Sequence, residues 1–494
     1  MDKNYEQFWE KVTNLLGAER VYTSDKMLDS FRASDPEVDG NPLALLKPES
    51  GSQIPDLMKL AREEKVNLVY CSSSTPRFRG DTVPKGDGVI VDMSSLENIV
   101  RVDRRNKVAL IEPGVTFPEL ISEVDKVGLK VLMPLLPRTG KSVLASYLER
   151  EPILIPKYHW DMTDPLLCTE LVFGTGDKFR TGSAAGPGSL EQQWAVGGAQ
   201  KNPLGPAQTD MARLVQGSQG TLAAVTWATV KLELKPTIHK FYFIPATDLS
   251  KLIEFAYKAL RPKLGDEFFI LNSYELSTLV GNKGSEIDEI AEKQYPYTLV
   301  FAVAGYQHLP EKRVAYQEKD MAKIAKEVDV NITREVPGIT ANRMASLVGG
   351  CSSPEYYKTR PRGAFREIFF LTTLDQVEKF INIMHENLDK YDYPRERMGI
   401  YIQPIQHGRT AHVEFSLYYD PNEDSGSKDL DNLHAEASES LASAGAFFSR
   451  PYGVWSDLAY RYCPDTVKAL NKVKDILDPD HILNRGTLCF EEVK

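Results

Sequence analysis

The chain has 494 residues, with 59 Lys and Arg against 69 Asp and Glu, a net charge of −10. Hydrophobic residues make up 42 % and aromatics 10 %, which excludes a disordered or fibrous chain and provides for a large core in roughly two to four structural units. The acidic balance excludes a protein whose main work is gripping nucleic acid phosphates.

In chain order, the opening MDKNYEQFWEKV lacks an apolar stretch of signal-peptide length, so a cytoplasmic chain is expected. SQIPDLMKLAREEKV (52–66) has helical spacing and NLVYC (67–71) reads as the strand after it. GVIVDM (88–93) and KVALIEPG (107–114) are buried strands, and TFPELISEVDKVG (116–128) is an amphipathic helix. TELVFGTGDKFRTG gives two strands about a Gly-Thr-Gly-Asp turn, and TLAAVTWATVKLEL (221–234) closes the region before Pro236.

From about 237 the texture changes to an α+β pattern. It runs through a helix at 248–260, the strand YTLVFAVAG, a charged helix around 310–328 and a further helix at 374–391. IYIQPI and AHVEFSLYYD pair as strands; His407 and His412 are expected on the second, facing opposite sides. A helix at 464–477 and the terminating DPDHILNRGTL complete the chain.

The longest apolar runs are strand-sized, far below the ~20 residues of a membrane span. Cys71, Cys168, Cys351, Cys463 and Cys489 are dispersed with no CxxC pair, so neither zinc nor an iron–sulfur cluster has its ligand spacing, and a reducing compartment is expected.

Three loops carry candidate chemistry. Cys71 to Gly80 (CSSSTPRFRG) follows a strand; its small residues admit backbone N–H groups close to an anion, and its hydroxyls add donors. Gly217 and Gly220 in QGSQGTL stand three apart ahead of a strand and permit close approach to a flat or charged ligand. Arg138-Thr139-Gly140-Lys141-Ser142-Val143 has the ending of a Walker A loop, but Leu135 stands where its leading glycine belongs, which excludes that motif.

The order of these pieces is specific. A strand, small-residue loop and strand, then IEPGVTFPEL, GKSV, ELVFGTGDKFRTG and GSQGTL, with RPYG through LNKVKDILDPDHILNRGTL at the end, resembles the vanillyl-alcohol oxidase/p-cresol methylhydroxylase family over roughly 40–236 and 447–490. The resemblance implies an α+β fold in which residues 1–236 form a PCMH-type FAD-binding domain and 237–446 an α+β cap. Residues 447–494 would then return to the FAD domain. It implies that Ser72, Ser73, Ser74, Thr75 and Gly80 hold the FAD pyrophosphate, with serines where the family carries glycines. Gly140, Lys141, Ser142 and Val143 would run beside the flavin, and Gly217, Gly220 and Thr221 would lie near the adenosine and diphosphate.

Asp161 matches by spacing the acid near the flavin N5, where a carboxylate takes a proton as hydride leaves the adjacent carbon; His159 is a second candidate for that role. Arg450 resembles the arginine at the flavin pyrimidine edge, where a fixed cation stabilises negative charge. Ser449 and Arg79 (or Phe78) stand where phenol-oxidising members carry tyrosines, so Arg79 is a candidate carboxylate anchor, and Tyr452 and Trp455 are candidate aromatic surface.

Hydride transfer to non-covalent FAD from an aryl or benzylic alcohol or a para-substituted phenol is the expected function. A D-2-hydroxy-acid dehydrogenase of lactate or glycolate type is the first alternative, weakened by the missing His-x-His metal pair, and a non-catalytic flavoprotein subunit is the second. A small-molecule substrate, an external electron-acceptor protein and a homodimer are the expected partners, without metal, nucleic acid or membrane span.

Overall fold

The computed structural model describes residues 5–23, 28, 40–79, 82–158, 164–205, 210–422 and 424–490. Three sheets organise them. In the first, Gly40–Leu46 and Leu68–Cys71 both run parallel to Gly86–Asp92, and Val21–Tyr22 pairs antiparallel at one edge. The helix Ile54–Glu63 carries the chain from Gly40–Leu46 to Leu68–Cys71, on the other side of Gly86–Asp92. That helix forms because its apolar residues recur at helical spacing: Ile54, Leu57, Met58 and Ala61 share one buried face, packed with Phe8, Val12 and Leu16 of the helix Glu6–Leu16.

The second sheet is antiparallel, ordered Ile99–Asp103, Val108–Ile111, Ala223–Leu234, Leu166–Phe173 and Lys178–Arg180, with Leu129–Val131 also paired to Ala223–Leu234. Beside it the helix Phe117–Asp125 opens with a capping box, Thr116 and Glu119 bonding each other's backbone, and buries Phe117, Leu120 and Val124.

The third sheet has six antiparallel strands in the order Ile238–Ala246, Tyr297–Gly305, Phe268–Asn272, Met398–Ile405, Thr410–Tyr419 and Ala364–Thr372. The helices Leu249–Leu260, Pro310–Glu327, Val377–Lys390 and Asp424–Ser443 pack with it in one large core that includes Phe255, Phe301, Phe380 and Leu433. A second core joins Phe243, Phe269, Leu271 and Tyr401 of this sheet to Leu135, Leu136 and Leu154. Backbone bonds stitch the same seam: Phe268 N to Leu154 O at 3.0 Å, His407 N to Pro156 O at 2.9 Å and Ser352 N to Pro137 O at 2.8 Å.

The chain then returns. After the helix Pro464–Leu477 the tail lies against Leu68, whose N–H donates to Ile482 O at 2.7 Å and whose carbonyl accepts from Asn484 N at 3.0 Å. Buried Lys474 fixes this return, donating to Asp478, Thr221 O and Leu483 O, while Asp478 accepts from the N–H groups of Ile482 and Leu483. The architecture is therefore a two-part first unit with an α+β cap inserted before its last segment.

The expected strands and helices named above all form, with ends shifted by a few residues. One placement differs. His407 lies in the turn between two strands with φ 55°, and only His412 is on the strand. A chain reversal needs a residue there in the left-handed region, which the strand reading did not foresee.

Candidate active site

A long cleft runs between the first two sheets and the cap. Its walls include Ser72, Ser73, Arg77 and Arg79 of the first loop, Arg138 and Lys141, Gly217 to Gly220, the cap residues Tyr356, Tyr357, Lys358, Phe365, Glu367, Tyr401 and Glu414, and Arg450 and Tyr452 of the returning segment.

At one end, the loop after Leu68–Cys71 is zipped to the segment 138–142. Ser74 N donates to Gly140 O at 3.0 Å, Ser142 N donates to Ser73 Oγ at 3.1 Å, and Arg138 Nη1 donates to Ser74 O at 2.5 Å. Gly140 is required here, because a Cβ on it would sit 1.9 Å from Ser74 Oγ. The hydroxyls of Ser73 and Ser74 are thus spent on holding two loops together, since Ser74 Oγ donates to Gly140 O at 3.3 Å. Arg77 and Arg138 both line the cleft here, and burial followed by the neighbouring Arg77 pulls Arg138 down to about 10. An anion between two crowded guanidinium groups relieves both effects, which fits a pyrophosphate.

The other expected residues divide by position. Ser72, Lys141, Gly217 and Gly220 line the cleft, and Gly220, at φ 71°, has nothing within 4 Å of the Cβ position. Thr75 is exposed outside it. Ser142 caps the helix Val143–Leu148 by accepting from Ala145 N, Val143 is core, and Thr221 Oγ1 donates to Ser218 O at 2.7 Å; none of these three lines the cleft. Gly80, His159 and Asp161 lie outside the described residues.

At the cap end the cleft is ringed by charge. Arg79 donates to Glu149 at 3.0 Å and Glu151 at 3.2 Å and pairs with Glu367 at 3.4 Å. Its charge is already matched, so it does not offer the free carboxylate anchor that the sequence pointed to. Lys141 Nζ meets the same Glu149 and Glu151 at 2.7 and 3.2 Å. Lys358, buried, pairs with Glu367 at 2.5 Å and with Glu414. Four carboxylates therefore face Arg79, Lys141, Lys358 and Arg450.

Arg450, unlike the other three cations, has no carboxylate within ion-pair distance among the described residues. It is 3 % exposed, its guanidinium lies 3.9 Å from the centre of the Phe369 ring, and its Nη1 has no hydrogen-bond partner. Burial, then the nearby Arg79 charge, lowers its pKa. An orphaned cationic N–H in a cleft wall fits the electron-rich edge of a bound flavin. Tyr452 lines the cleft under the Arg79 guanidinium at 5.4 Å, whereas Trp455 stacks on Phe448 in the core. His412 is buried, 3.4 Å from Glu414, with its pKa lowered mainly by burial; neither it nor His407 lines the cleft.

The cap contribution is what the sequence analysis missed. Glu367 and Glu414 sit in otherwise apolar strands, REIFF and HVEFSL, and pairing of Phe369 with Glu414 puts both carboxylates on one face. A charged residue at an inward strand position was the available signal.

Burial acts to raise the carboxyls of Glu151 and Glu414, but Lys141 and Arg79 for the first, and Lys358 for the second, outweigh it and hold both far below the ordinary 4.5. Groups with depressed native pKa values stabilise the fold fully above their unfolded values, and that contribution is lost as pH falls toward the native ones. The urea midpoint is therefore expected to hold above pH 4.5 and decline steadily below it; a midpoint flat through that acid range would contradict this.

With the geometry described, the comparisons bear directly on it. A family model described as an FAD binding domain matches residues 42–142. Glycolate oxidase subunit GlcD of Bacillus subtilis is 27 % identical over 47 % of this chain and 46 % of its own length. The chain thus spans about half the length of that relative. The 4-cresol dehydrogenase (hydroxylating) flavoprotein subunit of Pseudomonas putida is 23 % identical over 97 % of this chain and 94 % of its own. A crystal structure of p-cresol methylhydroxylase with substrate bound superposes with a TM-score of 0.83 at 19 % identity, covering 99 % of this chain and 98 % of that one.

A cleft walled by the loop after Leu68–Cys71, the segment 138–142 and the cap, in a chain whose residues 42–142 match an FAD binding domain, marks an FAD-binding flavoprotein. The cofactor is FAD, and the whole chain shares the fold of p-cresol methylhydroxylase.

Proposed function

We propose that the protein oxidises an aryl or benzylic alcohol, or a para-substituted phenol, by hydride transfer to FAD. FAD, when bound, supplies the two-electron acceptor. The observation that carries this reading is the composition of the cap end of the cleft: Tyr356, Tyr357, Phe365, Tyr401 and Tyr452 line it together with Arg450. Aromatic walls bury a planar ring, and an orphaned guanidinium N–H favours a substrate or flavin atom on which negative charge develops.

The same wall argues against a D-2-hydroxy acid. Arg79 is engaged by three carboxylates, so its guanidinium is already occupied where a substrate carboxylate would need it. FAD is held without a covalent link in this reading, and an external protein takes the electrons. We also place the FAD-binding parts at 1–236 and 447–494 with the cap between them.

The test starts with the visible spectrum of the purified protein before and after acid precipitation, where flavin is expected in the supernatant. Anaerobic mixing with a para-alkylphenol, an aryl alcohol, D-lactate and glycolate follows. Bleaching of the flavin band by the first or second, and not by the hydroxy acids, is the expected result. Bleaching by D-lactate or glycolate alone, or a colourless protein that takes up no FAD, would overturn the proposal.

A further inference from the structure

Behind the cleft wall lies a carboxylate with no role so far. Glu275, on the helix Ser273–Val280, is fully buried. Its Oε1 accepts from the Tyr357 hydroxyl at 3.3 Å, and its Oε2 accepts from the Tyr418 hydroxyl at 2.7 Å. The cap sheet makes room for it: a Cβ on Gly399 would stand 2.1 Å from Oε2 and 3.1 Å from the Tyr418 oxygen. A side chain at 399 is therefore incompatible with the carboxylate in this place. The arrangement is a built acceptor site, and one of its two donors, Tyr357, lines the cleft beside Lys358 and Tyr401.

We propose that Tyr357 and Glu275 form a relay that takes the proton from the substrate hydroxyl as its C–H bond gives hydride to the flavin. This rests on the proposed function and deepens it. The substrate C–H bond breaks and its electron pair leaves with the hydrogen as hydride. The substrate O–H bond breaks and its proton passes to the Tyr357 oxygen, while the proton that Tyr357 held passes to Glu275 Oε1. Tyr357 ends unchanged, Glu275 ends as a carboxylic acid, and the substrate has lost two electrons and two hydrogens.

The surroundings suit that role. Each oxygen accepts from one hydroxyl, the acceptor-only pattern of an ionised carboxylate, and lone pairs remain to take a proton. Burial raises the Glu275 pKa, Lys358 pulls it back and Glu414 adds to the rise, which makes it a stronger base than a carboxylate in water. The charged and titratable groups facing it are Lys358, Glu414, Tyr357, Tyr401 and Tyr418. Glu275 has no contact with the cleft of its own, so it acts through Tyr357 as a positioning and proton-storing residue.

The test uses the FAD-loaded enzyme and two variants, Glu275→Gln and Tyr357→Phe, with para-nitrophenol as a probe that colours only when ionised. In the unaltered enzyme the probe is expected to bind as phenolate down to a lower pH than in either variant. Flavin reduction by the best substrate is expected to slow about 10²-fold in each variant with a flattened pH profile, and no further in the double variant. Melting temperature and FAD affinity of Glu275→Gln are expected to match the unaltered enzyme or exceed it, because the substitution removes a buried charge, whereas Tyr357→Phe is expected to melt somewhat lower, having taken a donor from a buried carboxylate. Unchanged probe ionisation in a protein whose flavin still bleaches normally overturns the relay alone. Variants that lose stability or FAD while keeping the pH profile assign Glu275 a structural role and overturn it too. If Glu275→Gln fails to fold, Tyr357→Phe carries the same comparison. No bleaching by any phenol or aryl alcohol in the unaltered enzyme overturns the proposed function, and the probe still reads the relay.

Discussion

Lys358→Met is expected to destabilise the protein by about 3–5 kcal/mol, among the largest effects of any single substitution in the described residues. Lys358 sits with 3 % of its side chain exposed, between Glu367 and Glu414 at 9 % each. Burial works to lower its pKa, and the two carboxylates outweigh that and raise it well above the ordinary 10.5. Methionine fills the space and removes the charge. Glu367 keeps Arg79, but Glu414 is left buried without its Lys358 partner. The cost is the uncompensated carboxylate rather than the lost packing.

The pH dependence separates the two explanations. In the unaltered protein Glu414 is depressed, so acid removes stability. In the variant its pKa rises above the unfolded value, so the deficit is full near neutrality and shrinks as acid protonates Glu414. Urea unfolding of both proteins across acid and neutral pH checks this. A deficit that does not change with pH would mean that packing, not charge, sets the loss.

Arg450→Met is expected to have the opposite profile. Removing a buried cation whose Nη1 makes no hydrogen bond should leave the melting temperature unchanged or raised. Flavin reduction by substrate should nevertheless slow by about 10²–10³-fold, the usual effect of losing a fixed donor at developing negative charge. Arg450→Lys should recover only part of it, because an ammonium does not reproduce the planar fork stacked on Phe369. Single-turnover reduction and thermal melts on the same samples make the check. Equal reduction rates would remove Arg450 from the chemistry.

What the sequence by itself determined was local and ordered. Short apolar runs bounded by turn signals were enough for the strands at 88–93 and 169–173, which are buried on both faces, and helical spacing for the helices at 116–128 and 374–391. The order of loops between them was enough for the cofactor and the two-part plan. His407 shows the limit: Gly408, at φ 83°, marks a turn in the sequence, but nothing there shows that the reversal already includes His407.

The wall of the site was decided only by the tertiary structure. Arg79, Glu149 and Glu367 are far apart in the chain, and whether Arg79 holds a substrate or three carboxylates depends on how the cap meets the first loop. The roles of the serine hydroxyls depended likewise on Ser73 and Ser74 reaching the segment at 138–142. Strand pairing placed Glu367 and Glu414 on one face, and a missing Cβ at Gly399 admitted Glu275 behind it. Charge matching and proton paths are properties of distance across the fold, which spacing along the chain does not encode.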